Sequence, residues 1–150
     1  MMYVRLWVVG KGNPELLSFE RSLLRRMRPY AAFEVIELAE GRGRKNEQRR
    51  EQEERIILQR LPSGFILFDE GGRSLDSHQW AEHFARQSGN ARLDFLIGGA
   101  AGVTEQVRRQ AGMIWSLSKL TLPHQLVRIL VIEQCYRAFT ILAGHPYHRQ

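Results

Sequence analysis

Three short segments of this chain carry residue types that could hold a ligand. They are an acidic segment at residues 69–72, a glycine segment at 98–102 and a hydroxyl segment at 118–124, and each follows a short apolar run typical of a strand. In open α/β sheets, ligands bind where the strands end. A glycine there lets the backbone approach a ligand closely, because it has no Cβ atom. One such segment alone is most simply a tight turn, but the three together favour a ligand site.

The glycine segment, Gly98-Gly99-Ala100-Ala101-Gly102, does not have the spacing of the common phosphate-binding loops. The dinucleotide fingerprint requires G-x-G-x-x-G, and the P-loop requires a lysine after its glycines. A phosphate-binding loop is therefore a poor interpretation of this segment, and a strand-to-helix turn is the simpler one.

The hydroxyl segment combines polar and apolar side chains. Ser118 and Thr121 offer hydroxyls, Leu120 and Leu122 offer apolar surface, and Pro123 stiffens the exit. Irregular backbone leaves N–H and C=O groups that can bind the edge of a flat heterocycle such as adenine, while leucines cover its faces. Taken alone, the segment is more simply the start of a helix with proline at its first position.

Histidine and cysteine spacing predicts no metal site. His78, His83 and His145 lack the intervals of metal ligands, and the pair His145 and His148 lies outside any predicted helix. Cys135 falls inside an apolar helical pattern, where packing is the simpler role. The polar tail, residues 145–149, is of a kind that usually frays, although histidine and arginine also contact RNA; both interpretations stay open.

Strand-like and helical patterns alternate along the chain. We predict strands over residues 3–9, 33–38, 65–68, 92–97 and 113–117, with the acidic segment turning the chain after the third. Helices are predicted over residues 14–28, 47–61, 77–88, 105–110 and 125–142. Such alternation predicts an α/β fold, with a mainly parallel sheet and helices on both faces, in one domain over residues 1–150.

The last predicted helix is apolar on most of its circumference. A helix of this kind must be buried on more than one side. In so short a chain, we expect the second side to be a subunit interface. Glu133 and Arg137 lie four residues apart on this helix, which predicts a structural ion pair.

Composition and charge narrow the class of function. The chain has 150 residues, a net charge of +6 and a pI near 10.1. A basic loop at residues 41–46 adds to this charge, which favours a polyanion such as RNA, although a simple role in solubility explains it as well. Apolar residues at 43% argue against wholesale disorder. No run approaches the roughly 20 apolar residues of a membrane helix. With no cationic leader and one cysteine, we expect a cytoplasmic protein without a membrane partner.

Four stretches of the chain resemble one family closely. They are LIGGAAG at residues 96–102, WSLSKLTLPHQLVR at 115–128, EQCYRA at 133–138 and HPYHR at 145–149. Together they resemble the bacterial 23S rRNA pseudouridine N3-methyltransferases, the large subunit methyltransferase H family of the SPOUT superfamily. The resemblance covers essentially the whole chain, including the basic loop.

The resemblance implies a fold, a cofactor and partners. It implies a C-terminal trefoil knot, a homodimer, S-adenosyl-L-methionine in a pocket at the knot, and a pseudouridine in 23S rRNA of the assembled ribosome as substrate. The cofactor contacts that it implies are Phe68, Gly99, Ser118, Lys119, Leu120, Thr121, Leu122 and Pro123.

For substrate handling and methyl transfer, the resemblance implies Tyr147, His148 and Arg149 of the tail. The N3 proton of the pseudouridine must leave, so His148 is the first candidate for a general base. Arg149 is the candidate for stabilising negative charge on the adjacent carbonyl oxygens.

Two positions depart from the family pattern. Ala100-Ala101 stands where Pro-Glu is common, and Phe68 replaces a usual leucine. The alanines motivate an alternative function, a basic α/β RNA-binding module without catalysis. A nucleotide-binding enzyme of metabolism is a third possibility. Binding of S-adenosylmethionine would distinguish the methyltransferase from the RNA-binding module, and activity without ribosomes would indicate the metabolic enzyme.

Overall fold

A parallel sheet forms the centre of the fold. The structure is a computed structural model that describes residues 1–148. Within these residues, five strands form one sheet of order β2-β1-β4-β3-β5, and every pair is parallel. The strands are β1 (Met2–Val9), β2 (Ala31–Leu38), β3 (Ile66–Ser74), β4 (Arg92–Ile97) and β5 (Met113–Ser116). The predicted α/β class is confirmed.

Helices cover both faces of the sheet, as predicted. Side chains of α1, α3 and α5 share one apolar core with the sheet, and those of α2 and α4 share a second core on the opposite face. The helices are α1 (Leu17–Met27), α2 (Asn46–Arg60), α3 (Ser77–Ala85), α4 (Glu105–Gln110) and α5 (His124–Leu142).

The alternation of side chains along β1 shows why both faces are apolar. Val4, Leu6 and Val8 pack into the core of α1, α3 and α5, while Trp7 and Val9 pack into the other core. Successive residues of a strand point to opposite faces. A strand covered on both faces therefore needs a nearly continuous apolar run, which is the pattern that the sequence shows here.

Local caps begin three of the helical segments where the sequence predicts them. The Asn13 side chain accepts a hydrogen bond from the backbone of Glu15, ahead of a short 3₁₀ turn (Pro14–Leu16) that leads into α1. Asp76 forms a reciprocal capping box at the start of α3. Thr104 caps α4 by accepting from the Val107 N–H group. Such caps satisfy backbone donors that would otherwise be unpaired.

The predicted turn over the acidic segment is wrong. β3 continues through these residues to Ser74, and Phe68 and Arg73 both pair with Trp115 of β5, so that the acidic segment bulges out between them. Aspartate and glycine favour turns locally, but β5 offers pairing groups to both sides of the bulge. A Cβ on Gly72 would lie 2.7 Å from the Trp115 backbone, so only glycine permits this crossing.

Two further differences from the sequence prediction concern the ends of elements. The helix predicted to reach residue 88 ends at Ala85, and β2 begins two residues before its predicted start, at Ala31.

Two predictions for single side chains of α5 are confirmed. Cys135 is fully buried, and burial raises the pKa of its thiol well above the usual value, which confirms the packing role. The predicted ion pair of Glu133 and Arg137 is formed at 2.6 Å.

Candidate functional site

A cavity of about 250 Å³ opens at the carboxyl ends of β4 and β5, beside the bulge of β3. The acidic, glycine and hydroxyl segments all contribute to its wall, so the structure brings together the three segments that the sequence singled out. Most of the predicted cofactor contacts line it, namely Phe68, Gly99, Ser118, Leu120, Thr121 and Leu122. Lys119 and Pro123 lie in the same segment, but they are not part of the wall.

The hydroxyl segment keeps backbone groups available for a ligand. Ser118 accepts a hydrogen bond from the Leu120 N–H group through its Oγ atom, and its carbonyl accepts one from the Ser116 hydroxyl, both at 2.9 Å. Within residues 1–148, the backbones of Lys119 and Thr121 form no hydrogen bond. These groups can therefore pair with the edge of a heterocycle, as the composition of the segment predicts.

The glycine segment is a tight turn held by its own backbone. Gly102 donates to the Gly99 carbonyl at 2.9 Å and adopts a φ angle of +84°, which favours glycine. A Cβ on Gly98 would lie 2.5 Å from Val103 Cγ1. The turn is closed around Ala100-Ala101, so the departure from the family pattern leaves its backbone framework in place.

Phe68 belongs to an aromatic cluster under the cavity. Its ring stacks on Trp80 with a centroid distance of 5.6 Å and contacts Phe95 at 5.6 Å and Trp115 at 6.2 Å. Aromatic pairs at these distances add to the stability of a core. The phenylalanine that replaces the usual leucine is therefore held rigidly, and it gives the cavity a firm apolar floor.

Tyr147 and His148 do not line the cavity of their own chain. The Tyr147 hydroxyl donates to Glu133 Oε1 at 3.2 Å, and His148 Nδ1 accepts from Arg137 Nη1 at 2.9 Å, so both residues lie along the second half of α5. Arg149 lies outside the described residues. The catalytic role of the tail stays a prediction, and within residues 1–148 the structure places Tyr147 and His148 away from the predicted cofactor contacts.

Comparison with known proteins decides the family. The family model described as predicted SPOUT methyltransferase matches residues 2–148. The chain belongs to the SPOUT methyltransferase family. Ribosomal RNA large subunit methyltransferase H of Agrobacterium fabrum is 45% identical over 99% of both chains. The protein of the same name from Gloeobacter violaceus is 38% identical over 98% of this chain and 99% of its own.

A solved structure supports the fold of this SPOUT methyltransferase. The tRNA (m1G37) methyltransferase of Aquifex aeolicus superimposes with a TM-score of 0.56, covering 98% of this chain and 75% of that chain. At 14% sequence identity, the likeness concerns the fold alone.

As a SPOUT methyltransferase, the protein uses S-adenosylmethionine as methyl donor, and the charge of the cavity fits a cationic ligand. Asp69 and Glu70 line the wall, and no lysine or arginine within residues 1–148 does. Burial alone would raise the pKa of Asp69, but hydrogen bonds from Arg108 at 2.7 Å and from the Gly71 N–H at 2.9 Å outweigh it and lower the pKa. The lowered pKa favours the ionised form of Asp69, and an anionic side chain in the wall attracts a sulfonium and repels a phosphate, which agrees with the poor match to phosphate loops.

One histidine that the sequence did not single out, His124, also lines the cavity. His124, at the junction of the hydroxyl segment and α5, lines the wall, and its Nε2 atom lies 2.8 Å from the Val9 carbonyl oxygen. A carbonyl only accepts, so we assign the proton to Nε2, which leaves Nδ1 of the neutral ring as an acceptor. Its position directly after Pro123, at the end of the hydroxyl segment, was the only available signal.

Among residues 1–148, no group of three or more histidine, cysteine, aspartate or glutamate side chains is arranged to hold a metal ion. No helix in the same range combines the length and the apolar character that crossing a bilayer requires.

Proposed function

We propose that this SPOUT methyltransferase methylates N3 of a pseudouridine in 23S rRNA of the assembled ribosome, in the cytoplasm and as a single domain. The observation that carries the proposal is the convergence of three segments on one acidic cavity covered by leucines. The relatives that match nearly the whole chain are named for large subunit rRNA methylation, and this name supplies the substrate class.

We propose that the cavity holds the cofactor through complementary surfaces. The backbone groups of Lys119 and Thr121 face the edge of the adenine, and Leu120 and Leu122 cover its faces. Phe68 forms the floor, Gly99 forms part of the turn beside it, and Pro123 fixes the exit of the segment into α5. The bound cofactor supplies a methyl group already activated on sulfur. The main task of the protein is therefore to align the acceptor base with it.

We propose that the tail removes the N3 proton and stabilises the resulting charge. His148 is the candidate general base, with Tyr147 and Arg149 beside it. His148 Nδ1 now accepts from Arg137, so the tail must leave this position before the imidazole can reach a substrate.

We propose that a second copy of the chain completes the site in a homodimer. Two leucines of α5, Leu126 and Leu130, are 41% and 39% exposed, and Leu120 at the cavity is 70% exposed. Contiguous exposed apolar surface typically marks an interaction site. The exposure of these leucines agrees with the sequence of α5, which is apolar on most of its circumference.

We also propose the C-terminal trefoil knot that the resemblance implies. Two features support it. β5 pairs with β3 rather than with β4, its neighbour in sequence, and the β3 bulge packs so closely against the β5 backbone that only glycine fits at position 72.

The proposal is tested with ribosomes from a strain that lacks the orthologous enzyme. Incubation with the protein and S-adenosylmethionine, followed by mass spectrometry of digested 23S rRNA, should show one new methyl group on a pseudouridine. Isothermal titration calorimetry with S-adenosylmethionine is run in parallel. Cofactor binding without methyl transfer to ribosomes would reject the proposed substrate. An absence of cofactor binding would instead favour the non-catalytic RNA-binding module.

A further inference from the structure

A side chain at position 99 would meet the end of a side chain from a neighbouring helix, Glu53 of α2. A Cβ on Gly99 would lie 2.6 Å from Glu53 Oε1 and 3.0 Å from Glu53 Oε2. Cβ atoms of folded proteins essentially never come within 3.0 Å of another heavy atom. The space that a side chain at position 99 would need is therefore already filled by the carboxylate of Glu53.

Glu53 is itself an unusual residue. It is 5% exposed, and its Oε2 atom accepts a hydrogen bond from the Gly41 N–H group at 2.8 Å. Its Oε1 atom, which faces Gly99, has no hydrogen-bond partner among the described residues. Burial raises the pKa of this carboxyl, and nearby Glu40 acts in the same direction. A buried polar atom without a partner is rare enough in native proteins to require an explanation.

Two further contacts join α2 to the same turn. Arg50 Nη1 donates to the Ala101 carbonyl at 3.0 Å, and the Thr104 hydroxyl donates to Glu54 at 2.5 Å. Residues three and four apart lie on one face of a helix. One face of α2, formed by Arg50, Glu53 and Glu54, therefore supports the glycine segment and the start of α4.

The same helix holds the basic loop. Besides the bond from Gly41 to Glu53, the Arg42 N–H group donates to Gln52 at 2.7 Å, and Arg49 Nε donates to the Gly43 carbonyl at 2.7 Å. The Glu53 carboxylate thus lies between the first residue of the basic loop and the centre of the glycine segment.

We propose that Glu53 is a positioning residue for the cofactor. Its carboxylate occupies the space beside Gly99 and accepts a hydrogen bond from the Gly41 N–H group. This contact fixes the position of the glycine segment in the wall of the cavity. The inference rests on the proposed cofactor contact of Gly99. It assigns the need for glycine at position 99 to the Glu53 carboxylate and not to a close approach of the ligand.

A double-mutant cycle tests the proposal. The dissociation constant of S-adenosylhomocysteine is measured by calorimetry for the wild type, G99A, E53A and G99A/E53A. We expect G99A alone to weaken binding at least tenfold, because Cβ displaces the carboxylate and with it the turn. E53A alone should weaken binding about three- to tenfold. In the E53A background, G99A should add less than threefold, because its Cβ then enters vacant space. Equal losses from G99A in both backgrounds, or unchanged binding by E53A, would overturn the inference.

Three controls separate positioning from a general loss of structure. E53Q keeps the size of the side chain and an acceptor for Gly41, so it should bind S-adenosylhomocysteine within twofold of the wild type. E51A alters an exposed residue of the same helix and should leave binding unchanged. For E53A, KM should rise more for S-adenosylmethionine than for ribosomes, because Glu53 also anchors Gly41 of the basic loop. A fall in melting temperature with both KM values unchanged would contradict a positioning role.

If E53A does not fold, E53D takes its place in the cycle, because it withdraws the carboxylate by one methylene. A wild-type protein that binds no S-adenosylhomocysteine would refute the proposed cofactor site itself. Binding by the wild type with an additive cycle would refute only the role of Glu53.

Discussion

The cavity and the tail are the two regions to which the resemblance assigns function, and they differ in completeness. One chain assembles the cavity from segments that are distant in sequence. The same chain holds Tyr147 and His148 along α5, on Glu133 and Arg137. The difference teaches that one chain can form the whole cavity, whereas the proposed catalytic role of the tail requires Tyr147 and His148 to leave Glu133 and Arg137 first.

The largest expected effect separates the two regions directly. Replacing His148 by alanine should lower the rate of ribosome methylation by about 10²- to 10⁴-fold, the usual contribution of a general base. The affinity for S-adenosylhomocysteine should change less than twofold, because His148 does not line the cavity. Single-turnover methylation and calorimetry provide the two measurements. Full methylation by the variant would remove His148 as the base.

A second prediction places RNA binding outside the cavity. Replacing Arg42 and Arg44 of the basic loop by serine should weaken ribosome binding about tenfold and reduce its salt dependence, because fewer counterions are released. Replacing Arg21 and Arg25 of α1 by serine changes the net charge equally and serves as the matched control. Sedimentation binding assays at several salt concentrations distinguish them, and equal effects of the two pairs would indicate that only net charge matters.

A third, smaller effect tests the acidic wall of the cavity. Replacing Asp69 by asparagine should weaken binding of S-adenosylmethionine by roughly five- to tenfold, since an anionic side chain of the cavity wall is lost. S-adenosylhomocysteine has no charge on sulfur, and its affinity should change less than twofold. Calorimetry with both compounds measures the difference. Equal losses for both would mean that the substitution disturbs the shape of the wall rather than its charge.

The smallest expected effect concerns acid stability. The pKa of Asp69 is lowered in the folded protein, so its contribution to stability is present above the ordinary carboxyl pKa of about 3.9. That contribution is lost as the pH falls through the depressed folded value. The D69N variant should therefore lose less stability than the wild type below about pH 4. Urea unfolding at pH 3 and pH 7 checks this, and identical pH dependence would contradict it.

Features that depend on neighbouring residues could be predicted from the sequence. The caps at Asn13, Asp76 and Thr104 involve partners two or three residues away. The convergence of the three segments followed from the rule that parallel strands end at one edge of a sheet. The turn at the acidic segment was wrong because its outcome depended on pairing with Trp115, far along the chain.

Contacts between distant elements could not be predicted. Glycine at position 99 was expected to serve a ligand, yet its side-chain space is occupied by Glu53 of another helix. Nothing in the local pattern of α2 distinguishes the buried Glu53 from Glu51, which is exposed. The position of His148 on Arg137 was likewise invisible in a tail that reads as polar and frayed.

The sequence by itself determined the order of strands and helices, the three segments that contribute to the cavity, and the family to which their motifs belong. These follow from side-chain periodicity and from backbone preferences that act over a few residues. Only the tertiary structure decided that the acidic segment bulges within β3, that Glu53 fills the space beside Gly99, and that Tyr147 and His148 lie along α5. Those outcomes depend on which surfaces meet when distant elements pack, and no local preference encodes them.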